Sequence, residues 1–457
     1  MRLLIHDARL VVTMDEGRRL LPEGWVLVQD DRIERLGSGT VPGEVQVDRR
    51  LDARGKIVLP GLVNTHHHLP QTLTRNLPGI QEAPLFQWLA SLYEVWRGYD
   101  RAAFETAVRV GLAELLLCGC TTTSDHLYLF PRGQERLIDL EIEAARELGI
   151  RFHATRGSMS RGRSHGGLPP DDVVQDEETI LADCRRLIRE FHDPSALAMT
   201  RIALAPCSPF SVTDDLMRRT AELAREHGVR LHTHLAETRD EERYCQEVYG
   251  CRPVELLRRV GWLGPDVWLA HCVFLDDEEI ALFGETGTGV AHCPTSNLRL
   301  GSGIAPVRRL LERGVPVGLA VDGSASNDTS NLLAEARQAL LVHRLDQDPA
   351  RWITAQEVLE MATRGGARCL GRDDIGSLAP GNAADLILID TRRLSYAGGV
   401  GDPLAALLFS PWPETVDTVV VGGRVLVEGG ELRGVDLPEL VERAERTAAE
   451  LLRRARG

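Results

Sequence analysis

From about residue 3 to 57, apolar and polar residues alternate in short runs, LLIHDARLVV and WVLVQDDRIERLG, joined by Gly, Pro and Asp. Period-two alternation bounded by turn formers predicts antiparallel strands. The same texture returns after residue 375 in ADLILID and DTVVVGGRVLVEGG, and a charged amphipathic helix follows from about Pro438 to the end. Strand edges need partners, so the two ends predict one small β-sandwich domain built from residues 1–57 and 371–457.

Between them, over residues 58–370, the pattern changes. Eight short apolar runs (IVLPGLVNTH, TTTSDHL, RFHATRG, RIALAPC, RLHTHLAE, VWLAHCV, GVAHCPT and PVGLAVDG) are each followed by a longer stretch. Stretches such as AAFETAVRVGLAELLL and TDDLMRRTAELAREHG carry apolar residues at helical spacing. Eight β-then-α units predict an α/β fold, a (β/α)8 TIM barrel, with its active site at the C-terminal ends of the strands.

Polar chemistry gathers at those ends. Residues two apart on a strand share a face, so His66 and His68 point together into the barrel mouth and His67 points away. The fifth run brings His232 and His234, with Glu237 three residues on, where a carboxylate can handle the protons of a water held by a metal. The sixth and seventh runs end in His271 and His292, and the eighth in Asp322. Histidines at four of eight strand ends, with an aspartate at another, predict a metal site. Cys118 and Cys120 read instead as small residues packing where a helix enters the second strand.

Charge and composition narrow the functions. The 457 residues carry a formal charge of -14, with a pI near 5.5, which argues against nucleic acid or an anionic membrane surface as a partner. Of the 53 Lys and Arg residues only Lys56 is a lysine, and its context, ARGKIVLPG, fits neither a Schiff-base pocket nor a phosphate-binding loop. Codon preference accounts for the arginine bias. No apolar run approaches the ~18 residues of a membrane span, and the charged start MRLLIHDARLVVTMDEG lacks the core of a signal peptide. Nine cysteines without framework spacing fit a reducing compartment, so the expected location is the cytoplasm. The HxE and PCxxC pattern of the helical zinc deaminases is absent from the sequence.

The set HxH at strand one, His-x-x-Glu at strand five, His at strand six and Asp at strand eight resembles the mononuclear deaminase branch of the amidohydrolase superfamily. Members of that branch also build a small β domain from both termini. The resemblance implies that His66, His68, His234 and Asp322 bind one divalent metal, that Glu237 shuttles protons, and that His271 hydrogen-bonds the attacking hydroxide, with His232 and His292 in support. Binuclear relatives bridge their ions with a lysine on strand four. RIALAPCSPF has none, which favours a single ion. Three histidines and an aspartate suit Zn²⁺, and Fe²⁺ accepts the same donors.

The loop sequences GLVNTHHHLPQTLTR, LFQWLASLYEVW, HATRGSMS and VDGSASND resemble those of the 8-oxoguanine deaminases within the branch. That likeness implies a small purine substrate, deaminated to urate and ammonia, with Gln71, Trp88, His126 and Arg156 as its contacts. An amide can both donate to and accept from a lactam edge, and an indole can cover an aromatic face. Pro70 and Phe274 depart from the aromatic and the polar residue expected there. The alternatives are isoxanthopterin or another pterin, isocytosine, or an s-triazine, and, from another class, a non-catalytic barrel scaffold. Asp322 favours deamination, because some triazine-acting members replace that aspartate. Related barrels pair, so a homodimer is expected.

Overall fold

The computed structural model describes residues 1–41, 45–345, 348–399, 401–410 and 416–456. Strands from both termini hydrogen-bond as one nine-stranded sheet. Arg2–Val12 pairs antiparallel with Leu20–Gln29, which pairs with Arg32–Ser38. Lys56–Pro60 joins the two halves, running parallel to Arg2–Val12 and antiparallel to Leu386–Asp390. Thr418–Val421 and Arg424–Glu428 complete the second half.

Alternation sorts the faces of the central strands. Val58, Leu386, Leu388 and Val420 pack with Leu3, Ile5, Val26 and Val28 in the small domain's own core. Their neighbours Ile57, Leu59, Ile387, Ile389, Val419 and Val421 join the large core that continues into the barrel. The sheet folds over that inner core: Ala384 N–H donates to Asp31 O at 2.8 Å, so the second half meets the first. A buried ion pair also ties barrel to sheet, with Arg151 Nε 2.9 Å from Asp385 Oδ2.

The barrel strands are β1 (Leu62–Asn64), β2 (Cys120–Leu127), β3 (Arg151–Ser158), β4 (Thr200–Pro206), β5 (Arg230–Leu235), β6 (Val267–His271), β7 (Gly289–His292) and β8 (Val317–Leu319). They pair in chain order as one parallel eight-stranded sheet. Backbone bonds draw its edges together: Thr65 N–H donates to Leu319 O at 3.1 Å and Asp322 N–H to His66 O at 3.2 Å. Asp322–Gly323 then pairs with His67–His68, which sets the eighth strand end against the first.

The run IVLPGLVNTH is two strands in two sheets, split at Gly61. A Cβ there would lie 2.0 Å from Thr121 Oγ1, so only glycine lets the chain cross so close to β2. The helix Arg101–Leu117 is capped by Asp100, whose side chain accepts from Ala103 N–H, and Asp214–His227 is capped by Thr213 in the same way. Cys118 and Cys120 are both buried at the junction of that first helix with β2. Inside the barrel Trp268 is fully buried among Ala203, Ala291 and Ala320, and its Nε1–H donates to Thr65 O at 3.0 Å. His232 stacks flat on this indole, at 4.4 Å, so the histidines rest on an aromatic floor.

Candidate active site

His66 and His68 share the inner face of the chain after β1, with ring centroids 4.6 Å apart. His67 turns away, as the two-residue period requires, and its Nε2 lies 3.0 Å from Ser330 Oγ. On β5, His232 and His234 point inward while Leu231 and Leu235 join the outer core.

The tautomers of these rings follow from their partners. Backbone carbonyls only accept, so His68 Nδ1–H donates to His126 O at 2.8 Å, and His234 Nδ1–H donates to Cys207 O at 2.5 Å. His232 Nδ1–H donates to Trp268 O at 2.8 Å, which leaves its Nε2 to accept from His66 Nδ1–H at 2.7 Å. Each of His66, His68 and His234 therefore holds its proton on Nδ1 and presents a bare Nε2. Those three atoms converge. His68 Nε2 and His234 Nε2 are 3.1 Å apart, and Asp322 Oδ1 lies 3.4 Å from His66 Nε2 and 3.3 Å from His68 Nε2.

Lone pairs facing one another need an electrophile between them. His66 Nε2, buried and without a hydrogen-bond partner, marks the same need. Burial depresses the pKa of all three imidazoles, which keeps them neutral and able to coordinate. Second-nitrogen hydrogen bonds of this kind orient metal-binding histidines. The group is able to hold a divalent cation: donor atoms of His66, His68 and Asp322 lie within 4.8 Å of one another, as do those of His66, His234 and His271.

Glu237 and His271 stand beside the group, Glu237 Oε2 being 3.5 Å from His271 Nε2. Burial pushes the Glu237 carboxyl up to about 7, with Asp322 adding to the rise and His271 opposing it. Burial also opposes a charge on His271, but Glu237 and Asp322 outweigh it and raise its pKa. His271 Nδ1 is 2.9 Å from Asn297 Oδ1. Four non-glycine residues at these strand ends adopt left-handed backbone: Ala236 (φ 51°), His271 (φ 71°), Cys272 (φ 51°) and Asp322 (φ 61°). Each such residue costs about 1–3 kcal/mol, which the surrounding structure offsets.

A cavity of about 440 Å³ opens beside His68, His234, Glu237, His271 and Asp322. Gln71 and Trp88 line it. Gln71 Nε2–H donates to Tyr128 OH at 3.4 Å, and the amide sits over Gly323, where a Cβ would lie 1.9 Å from its Oε1. His126 and Arg156 are not brought to this cavity. His126 stacks on His234 at 4.7 Å and donates through Nε2 to Ala205 O at 2.9 Å, facing a smaller hollow behind His68. Arg156 is buried with its donors engaged: Nε to Asp183 at 2.6 Å, Nη2 to Gln175 at 2.7 Å, and Nη1 to Gly157 O. Its guanidinium also lies 4.1 Å over the Phe130 ring, so an ion-pairing role holds it in the wall of the barrel.

Neither Pro70 nor Phe274 lines the main cavity, and the Arg239 guanidinium covers the Phe274 ring at 4.3 Å. The cavity is also lined by Tyr128, Cys207, Ser208, Phe210, Leu300 and Ser326, which no motif in the sequence singles out. Tyr128 and Cys207 follow directly on the ends of β2 and β4, with Ser208 next, where the strand-end rule points to them. Leu300 and Phe210 carry no such signal, because an apolar residue in a loop reads as packing.

With the geometry in place, comparison with known proteins is specific. The family model described as the amidohydrolase family matches residues 57–426. An 8-oxoguanine deaminase of Pseudomonas aeruginosa is 52% identical over 430 residues, covering 94% of this chain and 95% of the relative. A hydroxydechloroatrazine ethylaminohydrolase of Pseudomonas sp. (strain ADP) is 38% identical, covering 95% and 92%. Among solved structures, an atrazine chlorohydrolase from Arthrobacter aurescens TC1 complexed with zinc superposes with a TM-score of 0.93 at 37% identity, covering 98% of this chain and 100% of the other.

Proposed function

The chain belongs to the amidohydrolase family, and on that premise we propose that it is a single-metal hydrolytic deaminase that converts 8-oxoguanine and water to urate and ammonia. The observation that carries the reading is the convergence of three bare Nε2 atoms, two of them beside Asp322 Oδ1, at a cavity that Glu237 and His271 share. His66, His68, His234 and Asp322 are the residues to hold the ion, with zinc as our assignment and iron(II) able to use the same donors. When bound, the cation supplies the Lewis acidity that makes water a nucleophile near pH 7.

The chain's own groups manage the protons. Glu237, with a pKa near the working pH, gives a proton to the ring nitrogen beside the amino-bearing carbon. His271 orients the attacking oxygen by a hydrogen bond, and Asp322 takes its proton. Asp322 passes that proton to the amino group while Glu237 regains its own from the incoming water, and collapse of the tetrahedral carbon then expels the amino group as ammonia. Gln71 is assigned to the lactam edge of the purine and Trp88 to its face, since both line the cavity. No lysine on β4 is present to bridge a second ion.

A second reading, removal of an amino or alkylamino group from an s-triazine, draws on the apolar wall of Leu85, Leu89, Phe210 and Leu300 and on the 38% identical relative. No helix among the described residues is long and apolar enough to cross a membrane, and we place the enzyme in the cytoplasm as a homodimer. Ammonia release from 8-oxoguanine, isoxanthopterin and a hydroxylated triazine, measured on one preparation, ranks the substrates. Release from the triazine alone would move the assignment to the second reading.

A further inference from the structure

We propose that Glu241 is a positioning residue that holds the proton carrier Glu237 in place by gripping its backbone. This rests on the reading of Glu237 given above. Glu241 is fully buried in the first turn of the helix Arg239–Tyr249, whose N-cap is Thr238. A glutamate three residues past the cap ordinarily turns back to the cap's own N–H. Two helices of this chain do that, through Asp276 with Glu279 and through Thr354 with Glu357. Glu241 reaches further back, accepting from Ala236 N–H on one oxygen and from Glu237 N–H on the other, both at 2.9 Å.

The peptide it holds is the strained one. Ala236 has φ 51°, a left-handed conformation that an alanine adopts only under constraint. Its carbonyl in turn accepts from Val273 N–H at 3.0 Å and Phe274 N–H at 2.9 Å, in the turn that follows His271. One carboxylate thus fixes the peptide from which Glu237 springs and, through Ala236 O, the turn beyond its partner imidazole. The 3.5 Å spacing of Glu237 from His271 depends on that peptide staying where it is. Glu241 itself does not line the cavity, so it acts through Glu237.

The test is Glu241→Gln in the metal-loaded enzyme, which sets an amide NH2 against one of the two N–H donors. A displacement of Glu237 on the order of an ångström lowers kcat by about 10- to 100-fold, with KM and metal content unchanged and faster amide exchange at residues 236 and 237. Ala236→Gly in that background restores part of kcat, because glycine takes a left-handed φ without cost. Combined with Glu237→Gln, the substitution adds no further loss. If Glu241→Gln does not fold, the same readings are taken on Glu241→Asp, whose shorter arm reaches one donor only. Normal kcat together with accelerated exchange, or a loss that multiplies on top of Glu237→Gln, overturns the proposal. Full turnover in Glu237→Gln alone would instead sink the reading of Glu237 itself.

Discussion

His232 does not line the cavity, yet the tautomers of the cluster predict that it sets metal affinity. It receives the His66 Nδ1 proton at 2.7 Å and passes its own to Trp268 O at 2.8 Å, all of it fully buried. In His232→Ala the His66 Nδ1–H loses its only acceptor. A buried donor left unsatisfied costs about 1–3 kcal/mol. His66 can escape that cost by moving its proton or turning its ring, and either change removes the Nε2 lone pair from the cluster. Loss of such an outer hydrogen bond lowers metal affinity by about 10- to 100-fold, or about 1.4–2.8 kcal/mol. In His232→Gln the amide oxygen occupies the place of Nε2, accepts the same proton, and keeps affinity within a few fold of the parent. Competition with a chromogenic chelator for Zn²⁺ measures both variants. Parent-like affinity in His232→Ala, or a glutamine variant no better than the alanine one, would refute the relay.

Other consequences follow from the same geometry. Glu237→Gln keeps its metal and loses about 10²- to 10⁴-fold in turnover, since the site remains and the proton carrier is gone; steady-state rates beside metal analysis check this. Asp385→Ala strands the Arg151 guanidinium in the interface between barrel and sheet, which costs about 3–5 kcal/mol. It should lower the denaturation midpoint while leaving kcat per folded molecule intact, and an unchanged midpoint would count against the pairing. Burial raises the pKa of Asp125, which packs beside the buried Glu141 and accepts from Leu69 N–H at 2.6 Å. Its folded pKa lies above its unfolded one, so the stability it contributes is complete below about pH 4 and is lost as pH rises through the folded value. Asp125→Asn keeps the acceptor for Leu69 and should flatten that decline in Tm, and an equal slope in both proteins would assign it to other groups.

The inward cluster of imidazoles and carboxylate was legible because period and position both speak in a strand. His66 and His68 two apart, His234 at a strand end and Asp322 opening the eighth loop all follow from side-chain alternation and the polarity of the barrel. The (β/α)8 count was legible for the same reason, as was the assembly of the two alternating ends into one small β unit. What the chain did not disclose is set by tertiary neighbours. Arg156 stands toward a strand end like the clustered histidines, but Asp183, Gln175 and Phe130 arrive from other segments and hold it away from the cavity. His126 lines the hollow behind His68 and spends its Nε2–H on Ala205 O, a partner from the fourth strand. The break at Gly61 was hidden in a continuous apolar run, since only the approach of Thr121 shows that no side chain fits. Glu241 is one of three acids in the first turn of its helix, and its two backbone donors lie on a turn that no local pattern foretells.

One titration tests the central claim most directly. Metal-free protein is brought back with increasing Zn²⁺ while urate and ammonia formed from 8-oxoguanine are followed. A single-metal deaminase predicts activity that rises linearly and saturates at one ion per chain, with urate and ammonia in equal amounts. Saturation only at two ions per chain, or a fully loaded protein that releases no urate from 8-oxoguanine, would contradict it.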